Sequence, residues 1–304
     1  MTELIQIFAN NLLPILLISG TGFFLAKAFH IEPRTFGRII FYILYPVMVL
    51  DLLIRNKLSF SAILGTSGFA LCVLLVTGGL TLLIGLMFKL ERPVLLAVLL
   101  ASIFANSGNY GLPLISFAFG QDALAYASIY YITTALLFNT VGVLIASMGH
   151  MNIKNALLGI LKVPTIYSIL VALVIMQTSW VMPTPLQRTV TLLAGGAIPC
   201  MLILLGMELQ RAQWNKNILA ISISTVIRLI IGPFIGWGLS LLFGFKGPAL
   251  QAGVTDAALP TAVMTTILAT EYNLEPSLVT SIVFTSTLLS PLTLTPVLFF
   301  LMGK

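Results

Sequence analysis

Asn106-Ser107-Gly108-Asn109-Tyr110-Gly111-Leu112-Pro113 interrupts an otherwise apolar run from Pro93 to Phe119. Two glycines, two asparagines and a proline make a poor helix interior. Proline removes a donor and clashes with the carbonyl four residues earlier, and glycine costs about 1 kcal/mol relative to alanine. Within a bilayer, freed backbone groups are tolerated only where protein covers them or a watery cavity receives them. The stretch therefore reads as an unwound part of a membrane helix that walls a site. An ordinary proline kink, with both amides facing a neighbouring helix, fits the same letters.

That reading needs a membrane, and composition supplies one. Of 304 residues, 59% are hydrophobic and only 8% charged, with a mean hydropathy of +1.08. Soluble domains carry about 25% charged residues. The outer solvent of this chain is lipid, and it reads as a single membrane unit. The net charge of +6 is spread singly between apolar runs, which excludes a nucleic-acid partner. Cys72 and Cys200 lie inside apolar runs, and His30 and His150 in separate loops, so neither a disulfide nor a metal site is expected. The N-terminus reads as a spanning helix, because its apolar run outlasts a signal peptide's core.

Cutting at charges and turn residues gives ten candidate spans of about 20 residues. They run Leu4 to Ala28, Arg34 to Ile54, Ser61 to Phe88, Pro93 to Phe119 and Ala123 to Met148. The rest run Asn155 to Met176, Pro185 to Leu209, Lys216 to Phe243, Pro248 to Thr270 and Pro276 to Met302. With both termini outside, nine basic residues (Lys27, Arg34, Arg38, Lys89, Arg92, Lys154, Lys162, Arg211, Lys216) face the cytoplasm. Five (Arg55, Lys57, Arg188, Lys246, Lys304) do not. The positive-inside rule favours this orientation.

The prolines recur. Pro14 and Pro33 match Pro164 and Pro183 at an offset of 150; Pro46 matches Pro199 at 153, and Pro113 matches Pro260 at 147. This predicts two five-helix halves, 1–150 and 151–304. An odd number of spans per half inverts the second, the architecture of secondary transporters. Chance recurrence of prolines is the plainer alternative.

The partner of the first break is Thr255-Asp256-Ala257-Ala258-Leu259-Pro260-Thr261 in the ninth span. A carboxyl group at mid-membrane costs about 2.5–3.5 kcal/mol on insertion scales, so Asp256 must face protein or water. Arg228, central in the eighth span, is under the same constraint. The two are expected either to pair, or to divide the work, with Arg228 meeting a bound anion and Asp256 titrating. A purely structural pair fits equally. Helix N-termini at crossed breaks would add partial positive charge, which suits a carboxylate.

At these motifs the chain resembles the auxin efflux carrier family. The residues that carry the resemblance are N-x-G-N-x-x-L-P at Asn106 to Pro113, A-L-P at Ala258 to Pro260, Glu271-Tyr272-Asn273, and Pro164-Thr165-Ile166-Tyr167. The resemblance implies an all-α membrane protein of ten helices in a sodium/proton-antiporter-like crossover fold. Helices 1, 2, 6 and 7 would form a scaffold, and helices 3–5 and 8–10 a mobile domain. It implies elevator-type carriage of small organic anions such as carboxylates, often as a homodimer. Carried onto this chain it implies Asn106, Asn109, Pro113, Tyr126, Tyr131 and Pro260 as site residues; the two break motifs themselves add Ser107, Gly108, Tyr110, Leu259 and Thr261, and the buried charges Arg228 and Asp256 are the candidates for charge and coupling. The chain departs from plant members in its short central loop, about Gly149 to Lys154, and in Asp256 four residues before the proline.

No cofactor is expected beyond a proton or sodium gradient. A sodium-coupled symporter of the bile-acid type is the alternative, with Thr280, Ser281, Thr285, Ser286, Thr287 and Ser290 as candidate hydroxyl ligands. A passive channel is a further one. No nucleophile–base or metal motif suggests an enzyme.

Overall fold

A computed structural model describes residues 2–29, 31–56, 58–147, 164–178, 180–211 and 215–303. The central-loop and histidine readings at His30 and His150, the charges Lys57, Lys154, Lys162 and Lys304, and the first part of the sixth predicted span lie outside these residues. Among the described residues there is no strand, only one isolated bridge, and the rest is helical.

Seven helices are long and apolar enough to cross a membrane: α1 (Thr2–Phe29), α2 (Pro33–Arg55), α3 (Phe60–Met87), α5 (Ser107–Ala146), α7 (Thr184–Leu209), α8 (Ile218–Leu242) and α11 (Pro276–Leu301). Four are shorter: α4 (Arg92–Ile103), α6 (Pro164–Thr178), α9 (Gly247–Ala258) and α10 (Met264–Glu271). The difference from ten segments has local causes. The fourth and ninth predicted spans each divide at their breaks, into α4 and the start of α5, and into α9 and α10. Between the second piece of the fourth and the fifth, Gly120 is non-helical, with φ of 81° and ψ of −164°, so α5 is two helical pieces that meet at a kink where the fourth and fifth predicted spans divide. That backbone region is essentially glycine's alone.

Four of the prolines act on their helices in a common way. Wide i→i+5 turns at Phe8–Leu12, Ile40–Leu44, Ser107–Gly111 and Ile227–Ile231 each end two residues before a proline: Pro14, Pro46, Pro113 and Pro233. Proline's ring crowds the carbonyl one turn back, and widening that turn relieves the clash without breaking the helix. A fifth wide turn, Phe138–Gly142, has no such proline, and Pro199, Pro291 and Pro296 sit in helices without one.

Packing groups the helices. α7 lies along α1 and α2, and α6 along α2. α9 packs on α5 and α8, and α3 on α4 and α5. Side chains of α2, α5, α6 and α7, including Val49, Leu112, Ala172 and Met201, share one apolar core. A second joins α3, α4, α8, α10 and α11. Facing outward are large apolar residues such as Leu192 and Leu242, 80% and 82% exposed, as a lipid-facing surface requires.

The α1–α7 contact is close. A Cβ on Gly22 would strike the Ile203 carbonyl, and one on Gly206 the Ser19 carbonyl. Small residues let helix backbones approach where lipid offers no hydrophobic drive for association. Gly206→Leu must therefore part the two helices. The expected result is loss of most folded protein on detergent size-exclusion chromatography, while Gly195→Leu, where the added Cβ meets nothing within 4 Å, elutes as wild type.

Candidate functional site

α4 and α9 each have 12 residues. At 1.5 Å per residue they rise about 18 Å, little more than half the roughly 30 Å of a bilayer's hydrocarbon. Both stop at depth, and there the chain leaves the helix. Phe104 (φ −102°, ψ 108°) and Leu259 (φ −67°, ψ 153°) are extended.

The two breaks lie against each other. Ala105 and Thr261 form an antiparallel bridge. The Asn106 N–H donates to Pro260 O at 2.8 Å, and the Ala262 N–H to Phe104 O at 2.9 Å. Thr261 adds two bonds, its hydroxyl donating to Ala101 O at 2.9 Å and its N–H to Ser286 Oγ at 3.2 Å. In hydrocarbon, an unpaired amide costs several kcal/mol. Here each break supplies the partners that the other lacks.

The first break is thus displaced from its sequence reading. Its unwound residues are 104–106; the Ser107–Gly111 stretch is helical, a wide turn opening α5. Pro113 follows that wide turn within α5, and the widening accommodates its ring and missing N–H. In the second break Pro260 is itself unwound, and Asp256 lies in the last turn of α9.

Arg228 does not pair with the Asp256 carboxylate. It comes from the wide turn of α8, is 1% exposed, and spends its guanidinium on main-chain oxygens. Nε and Nη2 donate to Leu259 O at 3.0 and 2.7 Å, Nη2 also to Ala257 O at 3.3 Å and Asp256 O at 3.5 Å. Nη1 donates to Ser102 O at 3.3 Å. These carbonyls belong to the C-terminal ends of α4 and α9, which carry orphan acceptors and partial negative charge. One buried cation caps both half-helices. Arg228 thus ties the two half-helix ends together through main-chain oxygens.

Asp256 takes the complementary place. The Asp256 carboxyl is buried, and the group against it is the Ser107 hydroxyl in the opening turn of α5. A Cβ built on Gly111 would lie 3.1 Å from Asp256 Oδ1, so this carboxyl faces the N-terminal turn of α5. A helix N-terminus favours negative charge. Asn106 Nδ2 is buried and unpaired, and so are the hydroxyls of Thr255, Thr285 and Thr287. Buried polar groups are nearly always paired, so the free Asn106 amide at the first break is an exception.

The other expected residues divide. Gly108 is required by Tyr131, whose ring would lie 2.7 Å from an added Cβ. Tyr131 in turn meets Tyr45 edge-on at 4.5 Å between centroids. Tyr126 is half-buried in the α2–α5–α6–α7 core; of the two tyrosines, Tyr131 is the one against the break. Tyr110 points away to α11, its hydroxyl 3.0 Å from Ser290 Oγ. Asn109 Nδ2 reaches across to α7 and donates to Glu208 Oε2 at 3.4 Å.

Glu208, Tyr45 and Ser102 were not among the residues expected from sequence. Ser102 acts through its carbonyl, which no residue type reveals. Glu208 had a faint signal, an acid in the last turn of an apolar helix. Of the candidate hydroxyls on α11, Ser286 holds Thr261 and Ser290 holds Tyr110.

Long apolar helices around two breaks joined at depth define a polytopic membrane transport protein. The membrane transport protein family matches residues 7–298, and the chain belongs to this family, that of the auxin efflux carriers. It is 26% identical over 266 residues to an uncharacterised transporter of Methanothermobacter thermautotrophicus, covering 85% of this chain and 86% of the relative. A second uncharacterised transporter, from Methanocaldococcus jannaschii, is 26% identical over 292 residues, covering 91% and 93%. Auxin efflux carrier component 6 of Arabidopsis thaliana is 31% identical over 126 residues, 40% of this chain and 22% of that protein.

Proposed function

We propose that this transporter is a secondary active carrier of small organic anions, built as two inverted five-helix halves of residues 1–150 and 151–304. The observation that carries the reading is the pair of joined breaks, with the buried, unpaired Asn106 amide and the buried Ser107–Asp256 contact at them. The α5 N-terminus and the Asn106 and Asn109 amides offer donors to a carboxylate. Asp256 supplies a proton-binding group within the same site, so that loading and protonation are coupled. A relative from Rhizobium meliloti, 28% identical over 207 residues, has a name that proposes malonate transport, which agrees with a carboxylate cargo.

In this mechanism α3–α5 and α8–α11 carry the site past α1, α2, α6 and α7 as an elevator, in a homodimer within the inner membrane. Both termini lie outside. A sodium-coupled symporter is the second reading. The buried oxygens of Asp256 and Ser107, and the unpaired one of Thr287, favour it, being hard ligands of the kind such ions take.

Uptake of labelled malonate into proteoliposomes, driven in turn by a proton and a sodium gradient, separates the readings. Saturable uptake that follows the proton gradient supports the first. Dependence on sodium alone gives the second, and flux linear in concentration would mean a channel. Asn106→Ala tests the site in the same vesicles. Its backbone, not its side chain, holds the bridge, so the variant should fold normally and lose malonate uptake by at least about tenfold, the cost of a lost buried hydrogen bond to a charged group. Wild-type uptake by Asn106→Ala would remove this amide from the site.

A further inference from the structure

The Asn109 amide is the donor of the first break that is already occupied, and its occupant is a carboxylate. Glu208 ends α7, a helix packed on α1 and α2, whereas Asn109 stands in the opening turn of α5. Their 3.4 Å contact therefore crosses from one helix group to the other. It sits one residue from Gly108, whose backbone is pressed against Tyr131. Groups facing Glu208 are few. From α5 they are Asn109 and Tyr131, and beyond the end of α7 it is Arg211. Arg211 is itself engaged, donating to Glu32 at 3.1 Å, and holds that exposed carboxyl below its usual range.

From this arrangement we propose that Glu208 is a built-in competitor for the anion site, its carboxylate occupying the Asn109 amide in the empty carrier as a substrate carboxylate does in the loaded one. The inference rests on the organic-anion reading above. A carboxylate and an amide N–H match in charge and geometry whichever molecule the carboxylate belongs to. Two carboxylates cannot share that donor without repulsion, so substrate entry requires Glu208 to withdraw or to take up a proton. An interdomain contact made only when the site is empty also restrains the break against α7.

The sign of the pH effect follows. Protonated Glu208 no longer repels an anion, so wild-type affinity should rise as pH falls and weaken as pH rises through the titration of Glu208. Glu208→Gln keeps the shape and the fold but carries no charge, and its affinity should be high and flat with pH.

The test is equilibrium binding of labelled malonate to the purified full-length carrier between neutral and alkaline pH, where malonate keeps both charges. Glu208→Gln should bind on the order of tenfold tighter than wild type at the alkaline end, the scale of one like charge removed from a partly buried site. The difference should narrow as pH falls. Glu208→Ala, which cannot occupy the amide at all, should bind at least as tightly as Glu208→Gln. Equal affinities for wild type and Glu208→Gln across the range, or weaker binding by Glu208→Gln, would overturn the proposal and make Glu208 a neutral or supporting contact. If wild type binds and takes up none of malonate, malate, lactate and indole-acetate, the anion reading itself falls, and this inference with it.

Discussion

Arg228→Met is expected to leave little folded carrier. The substitution keeps most of the side chain's bulk but strips hydrogen-bond donors from four carbonyls, those of Ser102, Asp256, Ala257 and Leu259. Leaving a buried acceptor unsatisfied costs about 1–3 kcal/mol, so the total is on the order of 5 kcal/mol, comparable with the whole stability of many domains. Arg228→Lys should recover part of this. Its ammonium keeps the charge at the two helix C-termini but lacks the planar fork that reaches both breaks. Thermal unfolding in detergent, followed by size-exclusion recovery, measures the effect. The contrary result, a normal melting profile with weakened malonate binding, would put Arg228 in the substrate site.

Asp256→Asn should do the opposite, giving a carrier that is more stable and less useful. A buried carboxylate is held at a cost of several kcal/mol, offset here by the Ser107 hydroxyl, the α5 N-terminus and the Arg228 charge. The amide removes the charge at nearly constant volume. Melting should rise by a few degrees, on the scale of 1–2 kcal/mol. Proton-driven malonate accumulation should disappear, while exchange of malonate across the membrane without a gradient persists. A variant that still concentrates malonate along a proton gradient would show that the coupling proton resides elsewhere, with Glu208 the next carboxyl to examine.

The contrast between these two residues shows what the sequence could convey. Both stood out as charges in apolar helices, and both are buried as that demanded. Their relation was not legible. Opposite charges suggest a pair, but the partners of Arg228 are carbonyl oxygens, which every residue carries and no letter distinguishes. The breaks were legible in kind and displaced in position. Pro113 drew attention because proline ends helices, yet it also starts them, and the unwound residues Phe104–Asn106 precede it by two turns. Asn106 and Pro260 were both expected at the crossing, and a single hydrogen bond joins them. Glu208 was missed because acids at helix ends are ordinary, and only the approach of α5 makes this one unusual.

The wide turns that precede Pro14, Pro46, Pro113 and Pro233 bear on how these helices are aimed. An extra residue in one turn advances everything beyond it by about 100° around the axis. Each proline therefore sets the rotational phase of the helix that follows, and a heptad or wheel drawn through the bulge mispairs the faces on its two sides. Converting Pro113 to alanine would delete no contact at the crossing itself. It would permit the turn to tighten, and the whole of α5 would dial its side chains past α2, α7 and α9 like a key turned one notch in its lock.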